Sequence, residues 1–167
     1  GDEYGCYNAG RCYYHGWGTD VNYTEAFRNF DQAFKSGHKP SRVYLAQCYF
    51  WGRGVSKNYE TAVRMMEKLI NEKQDYPKEL MGYCCLYGKG IATDTARGKR
   101  LLEEAAQSGS GQAWMFLGDM YDQAAGVPED ISMAVSCYQK AVSKKIPEAS
   151  EALERYKKTL FGKWKRR

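Results

Sequence analysis

Cys12 and His15 lie one helical turn apart in the stretch CYYHGWG. That is the spacing a thiolate–imidazole nucleophile pair on one helix would need. Such a pair also requires a third group to orient the imidazole, and the flanking sequence offers none. His15 and His38, the chain's two histidines, fall in no ligand spacing of the H-E-x-x-H or C-x-x-C kind and read as surface side chains. No G-x-S-x-G elbow and no phosphate-binding loop is present. The triplets GWG (16–18), GRG (52–54) and GKG (88–90) have the composition of a phosphate cradle. They recur at constant spacing, as helix-ending turns do. These residues point away from an enzyme, a metal centre, a cofactor or a small-molecule substrate.

The constant spacing decides the architecture. The chain repeats every 36 residues in four gapless copies. One column reads Gly16, Gly52, Gly88, Ala124, and a second, two residues on, reads Gly18, Gly54, Gly90, Gly126. Asn22, Asn58, Asp94 and Asp130 follow, each suited to accept a backbone N–H at the start of a helix. Ala26, Ala62, Gly98 and Ala134 form a small column that lets two helices approach closely. Phe30, Met66, Leu102 and Tyr138 form a bulky column that fills the groove between repeats. Upstream of the glycines, Ala9, Leu45, Met81 and Leu117 stand one turn before Tyr13, Tyr49, Cys85 and Tyr121, marking a buried stripe.

The pattern predicts an all-α chain of helix–turn–helix units over about 5–37, 41–73, 77–109 and 113–145. The helices are expected near 5–15, 22–36, 41–51, 58–72, 76–87, 94–108, 111–123 and 130–144. A single hairpin cannot cover its own apolar faces, so neighbours must stack into a right-handed α-solenoid, read here as one repeat domain spanning 1–167. A ninth helix over 147–161 is expected to open at Pro147 and to cap the array. Its stripe would be Ala149, Leu153, Tyr156 and Leu160.

Composition sets further bounds. Of the 167 residues, 43% are apolar and 14% aromatic, enough for a core, and no run is long enough to cross a bilayer. The start carries neither an initiator Met nor a signal-peptide pattern and reads as a processed or truncated end. Taking the six cations of residues 157–167 from the 25 in the chain leaves 19 against 20 acidic residues. The body is near neutral, which disfavours nucleic acid. The tail reads as a solvated helix end, or else as a tether to anionic membrane or nucleic acid. Equivalent columns on stacked helices are about 8–10 Å apart, too far for disulfides, so Cys12, Cys48 and Cys84 are expected to be free thiols. Only Cys137 is placed where it could meet another thiol. Free thiols point to a reducing, cytoplasmic setting, while the truncated start leaves a periplasmic or secreted setting open.

The stretch LAQCYFWGRGVSKNYETAVRMMEKLI resembles the Sel1-like repeat, a relative of the tetratricopeptide repeat, as do AWMFLG (113–118) and LEEAAQSG (102–109). Three positions depart from that pattern. Ala124 replaces a loop glycine, which puts the fourth turn in question, and Lys73 and Lys145 stand where Gly37 and Gly109 close the other units. The resemblance implies that the first helix of each pair lines a concave face. It then implies a non-enzymatic scaffold or adaptor holding a peptide, helix or protein there. On that geometry the candidate partner-binding residues are Tyr7, Arg11, Tyr14, His15, Phe50, Trp51, Glu79, Tyr83, Tyr87 and Asp119. Large side chains at 14, 50 and 86 and at 15, 51 and 87 exceed what a bare hairpin needs, and exposed ring clusters mark binding sites. The alternative is that the rings pack on one another and close the groove. Trp17 and Trp164 read as edge packing. The fourth unit, with Asp119, Asp122 and Gln123, reads as a polar, acidic end of the groove.

Overall fold

The computed structural model describes residues 2–74, 76–158 and 162–167. Its elements are α1 (Glu3–His15), α2 (Tyr23–Lys35), α3 (Ser41–Trp51), α4 (Tyr59–Asn71), α5 (Lys78–Tyr87), α6 (Thr95–Gln107), α7 (Gly111–Asp122), α8 (Ile131–Ser143), α9 (Pro147–Leu153), β1 (Tyr156–Lys158) and β2 (Trp164–Arg166). The chain divides into two compact units, residues 1–80 and 81–167. In the first, α2 packs on α1 and on α3, and α3 on α4; in the second, α7 packs on α6 and α8, and α8 on α9 and β2.

Local chemistry explains each hairpin. The side-chain oxygen of Asn22 accepts the backbone N–H of Glu25 at 3.1 Å, and Asn58, Asp94 and Asp130 accept those of Thr61, Arg97 and Met133 at 2.9 Å. Each cap is worth about 1 kcal/mol. Gly16, Gly52 and Gly88 end their helices in the left-handed region, with φ of 73°, 72° and 63°. Ala124 adopts the same region at φ 54°. The fourth turn is otherwise unaltered, since the Asp130 N–H reaches the Tyr121 carbonyl at 3.1 Å as that of Asp94 reaches Cys85 at 2.8 Å. A Cβ is disfavoured in that region, so Ala124→Gly is expected to stabilise the protein by about 1 kcal/mol. A rise in the urea midpoint at unchanged slope checks this. Lys73 and Lys145 carry the same backbone strain, at φ 54° and 62°.

The repeat columns become the core. Ala26, Phe30, Ala62, Met66, Leu102, Ala134 and Tyr138 are fully buried. Gly98 is buried where a Cβ would come within 2.8 Å of the Leu86 backbone N, so only glycine permits the α5–α6 approach there. None of the six cysteines forms a disulfide, Cys137 included. Burial pushes Cys48 and Cys84 up to about 12 and Cys137 up to about 11, so these three stay protonated as small apolar fillers.

The C-terminal segment differs from the expected helix over 147–161. The helix ends at Leu153, and β1 and β2 form an antiparallel hairpin in register Tyr156↔Arg166 and Lys157↔Lys165. Leu160 lies outside the described residues. Tyr156 and Trp164 do reach the α8 core, with Ala134, Val135 and Tyr138, but from a strand pair. The physical reason is Asp122, whose partners come from this hairpin, as set out below.

Candidate functional site

In the first unit, Tyr7, Arg11, Tyr14 and His15 share one face of α1. Tyr7 lies 4.2 Å, ring to ring, from His38 and 5.8 Å from Tyr44. The Arg11 guanidinium sits 5.6 Å from the Tyr7 ring and 5.0 Å from that of Trp17. Trp17 in turn stacks on His15 at 4.5 Å. Trp17 is 52% exposed, so it belongs to this face rather than to edge packing. His15 is exposed too, and burial together with Arg11 and Arg53 holds its imidazole below the usual value. Its ring packs against Trp17 and Tyr14. His38, expected at the surface, is buried and bonds through Nδ1 to the Ser41 hydroxyl at 2.9 Å.

Tyr14 and Phe50 face inward. Tyr14 is packed among Tyr23, Phe30 and Tyr44, and Phe50, at 2% exposure, lies against Trp51 and Tyr59. Together with Leu86 and Asp122 they make the column 14, 50, 86, 122 a buried one. The next column, 15, 51, 87, 123, is exposed or half-buried. The surplus rings therefore split, one column to the core and one toward solvent. Arg53 joins them: its Nη1 donates to the Tyr14 hydroxyl at 2.7 Å, and its guanidinium lies 5.7 Å from the Trp51 ring. Nothing in the sequence singles out Arg53, although it stands in the column of Trp17 and Lys89. Glu79, in the first turn of α5, is half-buried, and burial raises its carboxyl.

In the second unit, Tyr83 lies 4.8 Å from Tyr87 and 4.7 Å from Phe116. The Tyr87 hydroxyl is buried with no hydrogen-bond partner among the described residues, and burial, Asp119, Tyr83 and Asp122 push it up. Asp119 accepts from the Tyr138 hydroxyl at 2.8 Å; burial raises its carboxyl, and that bond and Arg155 only partly offset the rise. Asp122 is 5% exposed. It accepts from the Tyr156 hydroxyl, from Arg166 Nη2 at 2.7 Å, and pairs with Arg155 Nη1 at 3.3 Å. Burial opposes its charge, but these partners outweigh burial and hold it below the ordinary carboxylate range. Arg166 also meets Glu129 at 2.7 Å. The fourth unit is thus not an open acidic end of a groove. Asp119 and Asp122 are engaged within the chain, with Arg155 and the tail's Arg166 as the cations on Asp122. The signal is present in the sequence: a carboxylate stands in a column otherwise filled by Tyr14, Phe50 and Leu86.

Comparison with known proteins follows the repeat. The Sel1 repeat model matches residues 3–38, 40–72, 79–110 and 112–145. Among solved structures, a Sel1 repeat protein from Oxalobacter formigenes matches with a TM-score of 0.63 and 24% identity, over 91% of this chain and 62% of that one. A protective antigen of uropathogenic Escherichia coli displaying an SLR fold matches with a TM-score of 0.61 and 26% identity, over 92% of this chain and 33% of that one. The chain thus spans less than two thirds of the length of each of these two structures. Among curated proteins, none matches. The fold is an α-solenoid of four repeats followed by a short C-terminal helix and the hairpin.

Proposed function

The chain belongs to the Sel1 repeat family, and we propose that it acts as members of that family generally do, as a protein–protein interaction module. It is a non-enzymatic scaffold or adaptor that binds a peptide, helix or protein domain through its first-helix faces. The observation that carries this reading is the solvent-facing aromatic column, with Trp17, His15 and Tyr4 exposed on the first hairpin. Exposed rings beside a guanidinium are the usual anchors of interfaces. Trp51, Tyr83 and Tyr87 extend the candidate set, while Tyr14 and Phe50 support it from the core. We place the protein in a reducing, cytoplasmic setting, supported by six cysteines that form no disulfide.

The test is affinity capture followed by mass spectrometry, comparing the intact chain with a Trp17→Ala/Trp51→Ala double variant of unchanged helical content. Loss of a captured protein from the variant is expected. Retention of every captured protein rejects the face.

A second reading has one observation in its favour. Lys157 stands directly opposite Lys165 in the hairpin, and both are exposed. Like charges across a strand pair are destabilising, and an anionic surface would relieve them. The reading is a tether to anionic membrane. A Lys157→Gln/Lys165→Gln variant leaves the Asp122 network untouched, so it tests charge without removing the hairpin. Steeply salt-dependent binding to phosphatidylserine vesicles that is lost in the variant supports a tether; binding equal in both rejects it.

A further inference from the structure

The exposed face of the first unit holds two guanidiniums that no carboxylate pairs among the described residues. Arg11 is flanked by Tyr7 and Trp17; Arg53 lies 4.9 Å from the Tyr23 ring and 5.2 Å from the Tyr14 ring. Neither makes an ion pair among the described residues. Elsewhere in the same unit, Arg42 is paired with Glu72 at 2.7 Å and Arg28 with Glu25 at 2.8 Å. Among the described residues, the side-chain hydrogen bond of Arg53 goes to a neutral phenol, and the buried Nε of Arg11 has no acceptor. Aromatic faces therefore hold both cations in place while leaving them without a counter-charge.

That arrangement is suited to an incoming carboxylate. A guanidinium held against rings is pre-organised, and its fork of N–H donors matches a carboxylate two by two. Rings around it also exclude water, which strengthens the pair. After burial, both guanidiniums contribute to lowering the His15 imidazole, so both lie near the ring that stacks on Trp17.

We propose that this face docks an acidic segment of a partner protein, with carboxylates on Arg11 and Arg53 and an apolar side chain against Trp17. The proposal rests on the interaction-module reading above and specifies its chemistry. A protein segment is favoured over nucleic acid by charge. Residues 1–80 carry eleven Lys and Arg against ten Asp and Glu, so the cations are local and no broad positive surface surrounds them.

The probe is a random glutamate–tyrosine copolymer, titrated at low salt into the full chain and followed by tryptophan fluorescence. A lysine–tyrosine copolymer and a random single-stranded RNA are the comparators. Binding of the acidic copolymer is expected, weakened about tenfold or more by Arg11→Gln. Arg28→Gln, which removes the same charge from α2, should change it by less than about twofold. Circular dichroism confirms that each variant keeps its helix content, and Arg53→Gln provides the second, independent loss. Equal effects of Arg11→Gln and Arg28→Gln, tighter binding of RNA or of the lysine copolymer, or no binding of the acidic copolymer overturns the proposal. Should Trp17→Ala weaken binding while Arg11→Gln does not, the acidic partner is wrong and the aromatic face stands.

Discussion

Exchanging Asp122 for Asn is expected to destabilise the second unit by about 3 kcal/mol. The carboxylate is buried, and Tyr156, Arg155 and Arg166 all converge on it. Asn keeps the shape but removes the charge, so Arg155 loses its carboxylate and Arg166 keeps only Glu129 as an ionic partner among the described residues. Both arginines are half exposed, which keeps the figure below that of a fully buried ion pair. The pH dependence follows in sign. Asp122 sits below the ordinary carboxylate value, so its contribution is full above about pH 4 and fades as pH falls through the depressed value. Asp119 is raised, so its contribution has the opposite sense: it favours the fold at low pH and is lost as pH rises through its value. Urea unfolding followed by tryptophan fluorescence, at pH 7 and at pH 3, measures both. The wild-type advantage over Asp122→Asn should be large at pH 7 and reduced at pH 3. Equal stability of the two proteins at pH 7 would refute the network.

Phe30→Ala is expected to cost about 3–5 kcal/mol, because a fully buried ring leaves a cavity that its neighbours cannot close. Phe30 stacks on Tyr44 at 4.5 Å and supports Tyr7 and Tyr14 at 6.2 and 6.1 Å. It is the platform under the exposed face. Trp17→Ala, by contrast, removes a ring that is half in solvent and should cost less than about 1 kcal/mol. Thermal melts separate the two roles. Phe30→Ala lowers the first unit's melting temperature strongly, whereas Trp17→Ala leaves it nearly unchanged while abolishing partner binding. A Trp17→Ala protein as unstable as Phe30→Ala would assign Trp17 to the core.

The hairpins are legible in the sequence because glycine turns, Asn and Asp caps, and small and bulky columns each state a local requirement, and they recur in register. The column of Phe30, Met66, Leu102 and Tyr138 reads as core and is core. Two things are not legible. Ala149, Leu153, Tyr156 and Leu160 satisfy helical spacing, yet Tyr156 is claimed by Asp122, 34 residues away, and a strand pair delivers Arg166 to the same carboxylate. Local periodicity carries no information about so distant a bond. Adjacent rings are equally opaque: Phe50 and Trp51 follow each other, and only the packing of Tyr59 and α4 decides that the first is buried and the second half-buried. Arg11 and Asp119 look alike in sequence, as polar groove residues. The structure separates them, since Asp119 has the Tyr138 hydroxyl and Arg11, among the described residues, has the rings of Tyr7 and Trp17.

The most direct test of the interaction face is photo-crosslinking from a benzophenone side chain placed at position 17 or, as a control of similar exposure, at position 28. In native extract, position 17 should give a discrete protein adduct that position 28 does not. Adducts of equal yield from both positions, or from position 28 alone, would contradict the assignment of the face.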